Sequence, residues 1–102
     1  MTTFTYTNRG PIHSEGVSPV RTHLIVLDRE GDSLRFTRHY GGVDVGNGIT
    51  REFYPGEPTD PVSVAKMIHW CCCGWSAGAH EIWTLINDVK AALLDLEACH
   101  ND

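Results

Sequence analysis

The hydrophobic periods of this chain predict an α+β fold, in which an antiparallel four- to five-stranded sheet over residues ~2–54 is followed by a two-helix hairpin, ~61–73 and ~78–99, packed on one face. Three observations carry the prediction. Apolar residues alternate with polar ones through the first half, and they recur at intervals of three and four through the last third. Between the two regimes lie Pro55, Pro58 and Pro61, which break the strand pattern. Strands gathered before helices, with no strand-helix-strand alternation, call for antiparallel pairing.

The first strand is read from Phe4 and Tyr6 alternating with Thr3, Thr5 and Thr7, a composition suited to a half-buried pleated surface. Residues 20–28 form a second, more central strand, and Arg29-Glu-Gly-Asp32 supplies turn chemistry before a third at 34–40. On that third strand Leu34, Phe36, Arg38 and Tyr40 share one face, while Arg35, Thr37 and His39 share the other. Gly46-Asn47-Gly48, between Val43-Asp-Val45 and Ile49 to Tyr54, has the form of a further hairpin turn. Asn8 to Pro19 reads as a long loop.

Asp60 before Pro61 is a helix start, because a carboxylate caps the first N–H groups and proline fits the first helical position. The first helix gathers Val64, Met67, Ile68, Cys71 and Cys72 on one face, leaves Val62, Lys66, His69, Trp70 and Cys73 elsewhere, and stops at Gly74. Ser76 is placed to cap the second helix. Its apolar residues Ile82, Leu85, Ile86, Val89, Leu93 and Leu96 keep a 3.6-residue period, the strongest structural signal in the chain.

At 102 residues the chain has the size of one ordinary domain that buries a core without disulfide or metal. Its net charge of −5 argues against nucleic-acid binding, which draws on concentrated Lys and Arg. All six Arg lie in residues 1–51 with five acids, a net of +1, whereas residues 52–102 hold two Lys and eight acids, a net of −6. No basic segment followed by an apolar run opens the chain, so no signal peptide is expected. The longest aliphatic run, Leu24 to Leu27, is far too short for a membrane span. Three contiguous cysteines, Cys71 to Cys73, with distant Cys99, do not form a disulfide framework, which implies a reducing, cytoplasmic setting.

Several chemistries are weighed on these residues. His69 and Cys73 are one helical turn apart and His80 follows the inter-helix turn, a set from which a metal-supported domain is conceivable, yet no Cys-x-x-Cys knuckle accompanies them. Cys73 beside His69 has the elements of a nucleophile but lacks an oxyanion site, and a helix C-terminus raises a thiol's pKa. Gly41 to Gly48 lacks the spacing of a phosphate-binding loop. Glu52, Glu57 and Asp60 have no evident catalytic partner. The expectation is therefore a non-enzymatic protein with no cofactor.

The tryptophans are the better lead. Trp83 and Leu94 form a second apolar stripe on the second helix, and Trp70 falls opposite the core face of the first. Tryptophan is enriched among residues that anchor interfaces. A protein-interaction module, self-associating through Trp70, Trp83 and Leu94, is the leading expectation. The alternative is a small anionic, nucleotide-like ligand held by Arg35, Arg38, Arg51, Tyr40 and Tyr54. In general character the chain is similar to the short, motif-free accessory proteins of phages and mobile elements, a likeness that implies an accessory or inhibitory role exerted by binding another protein.

Overall fold

The computed structural model describes residues 1–9, 20–41, 48–72 and 79–100, with side chains over 1–7, 22–41, 48–72 and 82–98. Four strands, β1 (Thr2–Arg9), β2 (Val20–Glu30), β3 (Ser33–Tyr40) and β4 (Ile49–Glu52), precede two helices, α1 (Pro61–Cys72) and α2 (Ala79–His100). The sheet is antiparallel throughout, in the order β1-β2-β3-β4. This is the α+β arrangement that the sequence periods imply. The segment Val43–Val45, expected as a strand, and the turn glycine Gly46 lie outside the described residues, as do Gly74 and Ser76.

β2 and β3 are joined by Gly31 and Asp32, with Glu30 opposite Ser33. Gly31 has φ 62° and no described non-glycine residue has positive φ, the pattern of a two-residue hairpin turn with glycine first. Register then places Phe4, Tyr6, His23, Ile25, Leu27, Leu34, Phe36, Arg38 and Arg51 on one face of the sheet. Ile25, Leu27, Leu34 and Phe36 are buried there, and Phe53 continues the face beyond β4, its N–H donating to the Leu34 carbonyl at 2.9 Å. Both helices cover this face, α2 over β1 and β2 and α1 over β3. Their contributions to the core are Val64, Ala65, Ile68 and Cys72 from α1, and Leu85, Val89, Ala92, Leu93 and Leu96 from α2. Ile82 and Ile86, read as core positions, are half-buried at the margin.

Two local devices fix where α1 begins. Tyr54-Pro55-Gly56-Glu57 forms a turn closed by Glu57 N–H to the Tyr54 carbonyl at 3.0 Å, with Gly56 at φ 91°, as a type II turn requires of its third residue. Asp60 then caps the helix: its carboxylate accepts from Ser63 N–H at 3.1 Å and from the Ser63 hydroxyl at 2.6 Å, and its carbonyl accepts from Val64 N–H. These bonds to Ser63 hold the Asp60 carboxyl below its ordinary pKa.

The opposite face of the sheet is threonine-rich, with Thr3, Thr5, Thr7, Thr22, Thr37 and Thr50 upon it. His39 is nevertheless buried there. The cause lies in the chain leading into β4: a Cβ on Gly48 would stand 2.4 Å from Thr37 Cγ2 and 2.6 Å from His39 Cε1, so glycine at 48 lets the backbone cross directly over these side chains.

Candidate functional site

The two helices run antiparallel, since Thr59 and Pro61 at the start of α1 share a depression with Leu93, Leu94 and Glu97 near the end of α2. Their inward faces are consumed by the core. Their outward faces carry Val62 and Trp70 on α1 and Trp83 and Leu94 on α2, at 42%, 69%, 66% and 60% exposure. On the helical wheel Trp70 points directly away from the core side of α1, and Trp83 and Leu94 lie 20° apart on the outer side of α2. Exposed Lys66 and Lys90 stand among them. The outer surface of the helical layer therefore carries separate exposed apolar side chains with Lys66, Asn87 and Lys90 between them.

Trp70 also borders a surface cleft of about 690 Å³, together with Arg51, Ser63, Lys66, Met67 and Cys71. Arg51 is held rigidly at its rim. Its guanidinium donates to both carboxylate oxygens of Glu57, at 3.3 and 2.9 Å, and to the Glu52 carbonyl, and it lies 5.5 Å from the Phe53 ring centre and 5.7 Å from that of Tyr54. This pairing, with a further hydrogen bond from Tyr54 N–H, lowers the Glu57 pKa. Burial pushes the Cys71 thiol up, against the opposing pull of Arg51 and Arg38, so the sulfur at the cleft stays protonated and a poor nucleophile.

Of the arginines and tyrosines considered for an anionic ligand, Arg51 and Tyr54 lie together and Arg38 shares their sheet face, whereas Arg35 does not. Arg35 lies on the threonine face, bonded to Glu30 at 2.6 Å and Asp28 at 3.2 Å, and the Arg35 bond lowers the Asp28 pKa. Arg38 lies on the helix-covered face, where its Nη1 donates to the carbonyls of Cys71 at 3.2 Å and Cys72 at 3.3 Å. It thereby ties β3 to the last described turn of α1, and a cation there also complements the helix dipole. Tyr40 sets its ring against His23, and Tyr54 packs over Arg51.

Of the residues weighed for metal, Cys73 and the side chain of His80 lie outside the described residues. His69 is 2.9 Å from the buried Tyr6 hydroxyl through Nδ1, and Tyr6 in turn stacks on His23. Among the described residues no three His, Cys, Asp or Glu side chains cluster as metal ligands. The Tyr6 to His69 contact ties β1 to α1 and was not read from the sequence, although period two already turned Tyr6 inward. Cys71 and Cys72 are free thiols, Cys72 within the core. No described helix is long and apolar enough to cross a membrane.

Comparison with known proteins finds no family model, no curated protein and no solved structure that matches this chain.

Proposed function

We propose that this protein is a non-enzymatic interaction module that self-associates through the outer surface of its helical layer, with Trp70, Trp83 and Leu94 as anchors. The observation that carries the reading is the exposure of these three side chains and Val62 on the one side of the helices that no part of the described fold covers. Large apolar side chains grouped on a surface mark contact sites, and tryptophan is the residue most enriched among those that dominate binding energy. An accessory or inhibitory role, exerted by docking these side chains on another protein, is the same chemistry with a different occupant.

The test is the double variant Trp83→Gln/Leu94→Gln. Because both side chains lie outside the core, the melting temperature should hold while association weakens by well over ~10-fold, as expected when two anchors worth ~2 kcal/mol each are lost. A sharp loss of stability with unchanged solution mass would reject the reading.

A second reading, a small anionic aromatic ligand, is favoured by one feature, the cleft where Trp70 offers a stacking surface next to Lys66. Lys66→Ala should then abolish saturable binding of such a ligand without altering solution mass. The metal-supported alternative predicts that chelator lowers the melting temperature.

A further inference from the structure

The two edges of the sheet differ in how they are protected. β4 is short, carries Arg51 and Glu52, and is followed within three residues by Pro55. Brevity, charge and proline are the usual means of keeping an edge from pairing with another chain. β1 has none of them from Thr2 to Asn8: it pairs with β2 over eight consecutive residues without a bulge, and it holds no charge or proline in that stretch.

Register identifies the groups that β1 presents at its outer side. Gly41 N–H donates to the Thr22 carbonyl, so the backbone groups of Thr22, and of Leu24 and Val26 in phase with it, point toward β3. His23, Ile25 and Leu27 then point toward β1, where they meet Tyr6, Phe4 and Thr2. The outward N–H and C=O groups are consequently those of Thr3, Thr5 and Thr7. All three residues are exposed, and among the described residues nothing bonds to them on that side.

We propose that the β1 edge is a self-pairing interface, in which β1 of a second copy of this chain adds antiparallel to it and joins two sheets into one. The segment Thr3-Phe4-Thr5-Tyr6-Thr7 has the same chemical pattern in both directions. An antiparallel pair with its two-fold axis at Thr5 sets Thr3 against Thr7 of the second copy, Thr5 against Thr5, and Phe4 against Tyr6. The threonine pairs are the hydrogen-bonded ones and extend the ladder that Thr7 with Thr22 and Thr37 with Thr50 already form. The aromatic pair falls at the closer, non-hydrogen-bonded position on the helix-covered face, where such pairs stabilise sheets. There it covers the part of Phe4 that the monomer leaves exposed.

The charges agree with this occupant. No residue from Thr2 to Asn8 is charged, so no like charges oppose one another within the paired stretch. The flank of α2 above the edge presents Asp88, Ala91 and Asp95 beside Thr2, Thr3 and Phe4. Pairing brings two such flanks toward each other, and association should therefore tighten as salt screens them.

This interface is independent of the helical one, and the test separates them by working in the Trp83→Gln/Leu94→Gln background. There the protein should still sediment as a dimer. Adding Thr5→Lys, an exposed change that sets two ammonium groups opposite each other, should raise the dissociation constant at least ~10-fold, as should Thr5→Glu. Mixing the Lys and Glu variants should restore a mixed dimer, a result that lost folding cannot produce. A monomeric background protein at every concentration, a Thr5→Lys protein that assembles as well as its parent, or no mixed dimer would each overturn the proposal.

Discussion

The assignment of faces on α2 is tested most directly by truncating three residues of one helix. Leu85 is fully enclosed by the sheet and α1, Leu93 is 8% exposed, and Lys90 lies on the outer surface. A Leu→Ala change loses the transfer free energy of the removed methyl groups together with the contacts around the cavity, in all ~2–5 kcal/mol. Leu85 has no route for solvent and belongs near the upper part, at ~4 kcal/mol. Leu93 borders an open depression of about 290 Å³ shared with Thr59, Pro61 and Leu94, so water can enter the space it vacates. Its cost belongs near ~2–3 kcal/mol. Lys90→Ala removes an exposed side chain and should cost less than ~0.5 kcal/mol. The assay is urea denaturation with a common slope, read as the shift in midpoint. A Lys90 variant as destabilised as the Leu93 variant, or a Leu85 variant milder than both, would show that α2 is rotated relative to the sheet.

Arg38→Met keeps much of the side-chain volume but removes the hydrogen bonds to the carbonyls of Cys71 and Cys72; it should destabilise the fold by ~2 kcal/mol and increase hydrogen exchange in the last described turn of α1, and unchanged exchange there would refute this role of Arg38. The Glu57 carboxyl has its folded pKa depressed by Arg51, so its contribution is present above the ordinary glutamate value and is lost as pH falls through the depressed one. Melting temperature against pH should thus decline less in that acid range for Glu57→Gln than for wild type, and parallel curves would refute the pairing. Asp88 is the reverse case: burial raises its pKa, so its charged form opposes folding as pH rises through the folded value. Asp88→Asn should raise the melting temperature at neutral pH and lose that advantage once both carboxyl states are protonated, which a pair of thermal scans decides.

The sheet and helix core were legible because their periods are strong. Leu34 and Phe36, or Leu85, Val89 and Leu96, announce a face by spacing alone, and the same face is buried in the structure. Ala65 and Ala92 escaped because a methyl group adds little to a hydrophobic pattern, yet each fits where the helices approach their neighbours closely. The turn at Pro55-Gly56 was within reach, since that dipeptide satisfies the two special positions of a type II turn, but the prolines were read only as breaking the strand pattern. Burial of His39 on the threonine face was not within reach. It follows from the chain at Gly48 crossing over β3, a tertiary approach that no local spacing encodes.

The surface was harder to read for a related reason: a formal charge in the sequence says nothing about its partner. Six arginines in the first half suggest a basic field that meets an anion. In the fold Arg35 is bonded to Asp28 and Glu30, Arg51 to Glu57, and Arg38 to the end of a helix. Each of these three cations is committed locally, and they are divided between two faces of the sheet. An anion binding to them would have to displace a carboxylate or a helix terminus, whereas Trp70, Trp83 and Leu94 are exposed among the described residues. Releasing water from apolar surface favours association, while exchanging one carboxylate for another gains little. The same asymmetry applies at the sheet edge, where β4 is guarded by charge and proline and β1 is not. Both considerations favour recognition through apolar side chains and backbone over recognition through charge, so raising the salt concentration should leave association intact or strengthen it. Dissociation by moderate salt would instead place the arginines at the contact and reverse this order.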